Sequence, residues 1–148
     1  MADVRRLVDE LRPVLLDEHG LAGAVRERAE ALRPHLSVSV DADPLPDLSA
    51  AVEVAAYRIC QEALMNVVRH AAATSCRVRL AVVDGDLELV VDDDGIGVGS
   101  PSGNGVGLAS MRERAAELGG SCTVQGRPEG GTHLAVRLPL RAGRQDVT

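Results

Sequence analysis

YRICQEALMNVVRHA, running from Tyr57 to Ala71, is the stretch from which the rest of the chain can be read. Ile59, Ala63 and Val67, joined one place on by Cys60, Leu64 and Val68, form an apolar stripe at helical spacing. That is the core-facing side of an amphipathic helix. Glu62, Asn66 and His70 recur every fourth residue and stack along one neighbouring face. A carboxylate, a carboxamide and an imidazole in line suit a hard cation or a phosphate. They equally suit a solvated helix face, so the decision lies elsewhere in the chain.

Upstream, DADPLPDL (Asp41 to Leu48) is a loop by its prolines and aspartates, and Asp47 or Ser49 can cap the helix, which is expected to run to about Ala72. Before that loop the period is two. Leu36, Val38 and Val40 alternate with Ser37, Ser39 and Asp41, as in a half-buried strand over 36–41. A short helix fits Leu21 to Arg33, between Gly20 and Pro34, with Leu21, Val25 and Leu32 inward. Residues 3 to 12 place Val4, Leu7, Val8 and Leu11 on one seam, and Pro13 should end or kink that helix.

Downstream, two strands over 76–84 and 87–93 form a hairpin. Cys76, Val78, Leu80 and Val82 face one way and Arg77 and Arg79 the other, with the turn at Asp84-Gly85-Asp86. Leu87, Leu89 and Val91 point inward on the return, and parity carries Asp93 to the same face. A carboxylate on the apolar side needs a donor, because burying it unpaired is expensive. The loop DDGIGVGSPSGNGVG (Asp93 to Gly107) then holds six glycines in fifteen residues. It feeds a helix with Leu108, Met111, Ala115 and Leu118 on one face and a stop at Gly119-Gly120. Such a junction presents backbone N–H groups and a positive dipole end to phosphates. Strands over 121–126 and 132–140 come next, around a Glu129-Gly130-Gly131 turn, with Cys122, Val124, Thr132, Leu134, Val136 and Leu138 inward.

The 148 residues make one domain, long enough to bury roughly two-thirds of the unfolded surface. With no Phe, no Trp and one Tyr, the core must be aliphatic. All sixteen basic residues are Arg, so a phosphate-binding P-loop, which needs its lysine, is excluded. The net charge of −6 argues against nucleic acid or an anionic membrane as the main partner. No apolar run approaches ~18 residues and no signal peptide opens the chain, so a cytoplasmic segment without membrane contact is expected. Cys60, Cys76 and Cys122 sit at apolar-parity positions and read as buried free thiols.

Three glycine-loop chemistries fail. The dinucleotide fingerprint G-x-G-x-x-G finds Ser100, Ser102 or Ser110 where its last glycine belongs. A calcium loop would begin at Val90 and end at Pro101. The P-loop is already gone. What remains is an order of boxes: Glu62 and Asn66 on the helix, DDGIG (Asp93 to Gly97), GVGL (Gly105 to Leu108), and GGT (Gly130 to Thr132). That order resembles the ATP-binding domain shared by sensor histidine kinases, DNA gyrase, Hsp90-type chaperones and MutL-type repair ATPases. YRICQEALMNVVRHAAA, the short lid without an aromatic box, GLASMRERAAELGG, and the upstream LRPVLLDEHGLAGAVRE (Leu11 to Glu27) are similar to the NarL/DesK-like sensor histidine kinases.

The resemblance implies an α/β two-layer sandwich (α+β), the Bergerat fold, with a mixed sheet of about five strands and helices on one face. It implies ATP and Mg²⁺ as ligands. Asp93 would accept a hydrogen bond from the adenine amino group, Gly95 and Gly97 would let backbone approach the purine, and Thr132 would complete that contact. Asn66 would ligate Mg²⁺, and Glu62 would hold a metal-bound water or act as base. Arg69 or His70 would reach the phosphates. Gly105, Val106, Gly107 and Leu108 would supply the lid hinge and the helix N–H groups.

The division implied is a helical linker at the end of a dimerisation region (1–35), an ATP-binding catalytic domain (36–141) and a polar tail (142–148). His19, His35 and His133 are poorly placed as phosphoacceptors. The expectation is therefore a catalytic half that binds ATP and phosphorylates a histidine on a dimerisation domain supplied in trans, for relay to a response regulator. An anti-sigma-factor serine kinase of the same fold, and a non-catalytic nucleotide-sensing module, are the alternatives.

Overall fold

The computed structural model describes residues 14–70, 72–95 and 106–140. The expected helix over residues 3–12, Gly97, Gly105 and the polar tail lie outside the described residues, as do the side chains of His70 and Val106. Among the described residues the chain forms three helices and a five-stranded sheet. They are α1 (Val14–Ala31), β1 (Ser37–Ala42), α2 (Ala50–His70), β2 (Ser75–Val83), β3 (Asp86–Asp93), α3 (Val106–Glu117), β4 (Ser121–Gly126) and β5 (Thr132–Pro139). The sheet order is β1-β2-β3-β5-β4. β1 and β2 run parallel, and every other pair is antiparallel. The parallel pair requires a crossover, and α2 is that crossover.

Period-2 burial holds along most of the sheet, but β2 breaks it after Leu80: Ala81 is buried there and Val82, expected inward, is exposed toward the end of the hairpin. In β3 the pattern alternates without a break to its last residue, Asp93. Leu80, Leu87, Leu89, Val136 and Leu138 face the helices and are almost completely buried. From the helices, Ile59, Cys60, Leu64, Met111 and Ala115 meet them in one continuous core. Each large aliphatic side chain buried this way contributes about 1.5–3 kcal/mol. An aliphatic core without Phe or Trp suffices because two layers share it.

The central helix begins where the sequence places it. Ser49 is the cap: its Oγ accepts from the Val52 N–H at 3.2 Å, and the helix runs to His70. The β2–β3 turn is tighter than expected. Asp84 (φ 55°) and Gly85 (φ 83°) are its two central residues, and Asp86 already pairs with Val83 in the ladder.

One helix differs from expectation at its start. Helical structure precedes Gly20 as well as continuing beyond it, and the two parts are joined across a kink at that glycine (φ 72°, ψ 178°). Leu16, Leu21, Ala24, Val25 and Ala29 carry α1 into the common core against α2 and β1. A mean pattern over the whole of α1 hides this, because the kink shifts the phase of its apolar residues.

The opposite face of the sheet is polar, and register aligns Ser39, Arg77, Asp92, His133 and Gln125 across all five strands. Its polar side chains are largely paired with one another: Arg79 with Asp41 (3.2 Å), Arg137 with Asp86 (3.3 Å), and His133 Nδ1 with Asp92 Oδ1 (2.6 Å). Exposed pairs of this kind add little stability but keep this face wet. The helices therefore occupy one face alone, and any site between layers lies beneath them.

Candidate functional site

β3 delivers Asp93 to the helix-facing side at its very end, where it is 4% exposed and the one buried charged residue among those described. Its donors are local. Gly95 N–H donates to Asp93 Oδ1 at 2.8 Å, and the main-chain N–H of Thr132, its register partner in β5, also reaches the carboxylate. Burial pushes the Asp93 carboxyl above its ordinary range, while the two N–H groups hold the rise in check. A buried carboxylate whose partners are backbone N–H groups retains acceptor capacity for a ligand donor.

Asp94 turns the other way. Its carboxylate accepts from Thr74 N–H (2.9 Å), Thr74 Oγ1 (2.8 Å), Ser75 N–H (3.1 Å) and Ser75 Oγ (3.0 Å). These bonds tie the segment after β3 to the residues that lead into β2, and they hold the Asp94 carboxyl well below its ordinary value. A depressed carboxyl stabilises the fold above its unfolded pKa and loses that contribution as pH falls toward the folded one. Asp94→Ala should therefore melt below the wild type at pH 7, with the difference shrinking as pH drops below 3.8. Thermal melts between pH 7 and 2 test this, and a gap that stays constant into acid would refute it.

The second group of residues lies on α2. Glu62 and Asn66, one turn apart, are half-buried, and Gly107 in the first turn of α3 lies directly against them. A Cβ on Gly107 would stand 2.8 Å from Asn66 Nδ2 and 2.8 Å from Glu62 Oε2. Any side chain at this position would have to push the ends of both Asn66 and Glu62 aside. Leu108 packs half-buried against the core. Arg69 is exposed.

Topology brings the two groups to one end of the sandwich. α2 ends at His70, and β2 begins at Ser75 beside the end of β3, with Cys76 in register with Asp93. The last turns of α2, which carry Asn66, therefore stand over the same sheet end as Asp93.

The thiols take no part. Cys60, Cys76 and Cys122 are free and buried, and burial pushes Cys60 up to about 12 and Cys76 higher still, so neither is a nucleophile at neutral pH. Among the described residues no cluster of three His, Cys, Asp or Glu side chains could hold a metal by itself, and no helix is long and apolar enough to cross a membrane.

Sequence reasoning overlooked two contributors to this region. Asp94 was legible as the second carboxylate of DDGIG, but its partners Thr74 and Ser75 lie some twenty residues away. Arg127, which precedes the β4–β5 turn, has Nη1 donating to the Asp93 carbonyl oxygen at 2.9 Å. Nothing in local spacing signals that contact.

A layered domain with an acceptor buried at one sheet end, and a glycine-floored helix N-terminus over an Asn–Glu pair, is of the nucleotide-binding kind. The profile of the histidine kinase-, DNA gyrase B- and HSP90-like ATPases matches residues 51–142. The chain belongs to that ATPase family. It is 38% identical over 148 aligned positions to the signal transduction histidine-protein kinase/phosphatase UhpB of Salmonella typhimurium, covering 93% of this chain and 28% of that protein. It is 34% identical to the sensor histidine kinase NarS of Mycobacterium tuberculosis, covering 93% of this chain and 34% of that one. The chain thus spans about a third of the length of the curated relatives it matches. Among solved structures, the blue-light activated histidine kinase of Erythrobacter litoralis EL346 superposes with a TM-score of 0.71 at 24% identity, over 84% of this chain and 43% of that one, which establishes the shared fold. Within the family, both of these relatives are histidine kinases.

Proposed function

We propose that this domain holds ATP between sheet and helices and passes its γ-phosphoryl group to a histidine on a dimerisation domain, for relay to a response regulator. The observation that carries the reading is the buried Asp93 carboxylate at the same sheet end as the Asn66–Glu62 pair beneath Gly107. Asp93 accepts from the adenine amino group. Gly95, with Gly97 beyond it, lets backbone lie close to the purine, and the Thr132 hydroxyl completes the contact. Gly105, Val106, Gly107 and Leu108 form the hinge and the helix N-terminus whose N–H groups and positive dipole end meet the phosphates. Arg69 or His70, at the end of α2, reaches the phosphates.

Mg²⁺ fits the donor set. The Asn66 amide oxygen and Glu62 carboxylate are hard oxygen ligands one turn apart, and a cation that keeps several waters and takes phosphate oxygens needs few protein ligands. When bound, Mg²⁺ would neutralise charge gathering on the phosphoryl oxygens. Glu62 would help hold the ion or take the acceptor's proton, and Asn66 would orient the phosphate tail.

Residues 1–35 serve in this reading as the helical segment leading from the dimerisation region, 36–141 as the ATP domain, and 142–148 as a tail. The domain acts in the cytoplasm, where ATP is supplied. Incubation with labelled ATP and a separately made dimerisation domain tests the reaction. Acid-labile, base-stable label on that domain is expected, and label stable in acid would sink the histidine assignment.

Asp93→Ala is expected to weaken ATP binding by ~1.5–3 kcal/mol, about ten- to a hundredfold, without unfolding the domain. Calorimetry on the folded variant measures it, and undiminished affinity would overturn the adenine assignment. The raised Asp93 carboxyl adds a sign: protonation removes the acceptor, so affinity should decline on acidification earlier than an ordinary aspartate would make it.

A further inference from the structure

The residue that ties the adenine acceptor to the β4–β5 turn is Arg127. Its Nη1 donates to the Asp93 main-chain oxygen at 2.9 Å while Nη2 pairs with Glu129 at 3.1 Å. Its own backbone is fixed in that turn, with its N–H donating to the Gly131 carbonyl and its carbonyl accepting from Gly130 N–H, both at 3.0 Å. Gly131, in turn, passes so close to the Asp93 carbonyl that any Cβ there would collide with it. The Asp93–Asp94 peptide is therefore clamped between a guanidinium and the backbone of the opposite turn.

The orientation of this peptide governs the Asp93 side chain. It sets the start of the turn whose next peptide carries the Gly95 N–H, and that N–H lands on Asp93 Oδ1 at 2.8 Å. On the other side, Asp94 is already anchored to Thr74 and Ser75. With both ends of the short turn held, the Asp93 carboxylate stays in the orientation in which it meets the Gly95 and Thr132 N–H groups. Arg127 also places a positive charge beside a buried carboxylate, which favours the ionised form that accepts a hydrogen bond.

We infer that Arg127 is a positioning residue for purine selection: it never touches the nucleotide, but it fixes the orientation of Asp93 and so sets the preference for a purine bearing a 6-amino donor. The inference rests on the reading of Asp93 as adenine acceptor and adds a residue to it. A purely structural role would affect every nucleotide contact alike. Loosening the clamp should instead penalise the hydrogen bond to the 6-amino group and leave contacts to ribose and phosphates alone.

The test compares the affinity of the 148-residue chain for ATP with that for purine riboside triphosphate, which lacks only the 6-amino group. The ratio of the two is the readout, and melting curves confirm folding. In Arg127→Met the ratio should fall about fivefold, the scale of one weakened hydrogen bond, with affinity for the deaminated analogue unchanged. Arg127→Gln, which is shorter and uncharged but still polar, should lower the ratio as well, and it decides the matter if the Met variant melts too low to assay. An unchanged ratio overturns the inference. So does an equal loss of affinity for both nucleotides, which is what a merely structural role would give. Asp93→Ala run in parallel separates the two layers. If its ratio stays at the wild-type value, the adenine reading fails and the inference with it. If it collapses the ratio while the Arg127 variants do not, only the role of Arg127 is lost.

Discussion

Asn66→Ala is expected to lower phosphoryl transfer to a separately supplied acceptor domain by about a hundred- to a thousandfold. Two things are lost together. The amide oxygen is the one neutral metal ligand proposed on α2, and its removal leaves Glu62 as the sole protein oxygen there. The amide also fills the space beneath Gly107, where both its Oδ1 and Nδ2 lie against the first turn of α3. With that support gone, the helix N-terminus no longer sits at a fixed height over α2, where the phosphates are proposed to lie. Adenine recognition should survive, because Asp93 and its partners belong to β3 and β5, a layer away from α2. The expected pattern is thus near-normal nucleotide affinity without Mg²⁺ and a severe loss of transfer with it. Equal loss of both would argue that Asn66 is a packing residue rather than a ligand.

Gly131→Val should be the most damaging substitution for stability in this region. Gly131 has φ +98°, a conformation costly for any residue with a Cβ, and a Cβ there would collide with the Asp93 carbonyl oxygen. The obstruction is backbone, so no rotamer change relieves it. β3 and β5 would have to part at the Asp93–Thr132 pair. A loss of about 2–4 kcal/mol in urea unfolding is expected from strain and overpacking together. Whatever fraction folds should also bind ATP poorly, since the displaced atom belongs to the proposed adenine acceptor. A variant as stable as the wild type would mean that the two strand ends separate freely and that the close approach carries no function.

Much of the fold was legible because its signals are local. The hairpin announces itself through strict alternation from Cys76 to Leu80 and again from Leu87 to Asp93, around a dipeptide that accepts positive φ. Parity alone carried Asp93 to the buried side, and the structure agrees. The helix 50–70 was readable from its stripe and its Ser49 cap. The first helix was less so. Gly20 interrupts the helical phase, and a reading that stops at a glycine misses the turn before it, whose Leu16 is buried. Strand order is not legible in the sequence, because periodicity reports which face a residue occupies but not which strand lies beside it.

The site divides along the same line. Residue types and their order along the chain (an acceptor at a strand's end, glycines where backbone must come close, an amide and a carboxylate one turn apart) are written in the sequence, because each reflects a demand within a few residues. How the two groups meet was a matter for the tertiary structure. Gly107 against Asn66 and Glu62, Asp94 against Thr74 and Ser75, and Arg127 against the Asp93 carbonyl are contacts between segments roughly 20 to 45 residues apart. Their existence depends on how layers pack and strands register, and those are collective outcomes of burying one aliphatic core, with no local pattern of their own.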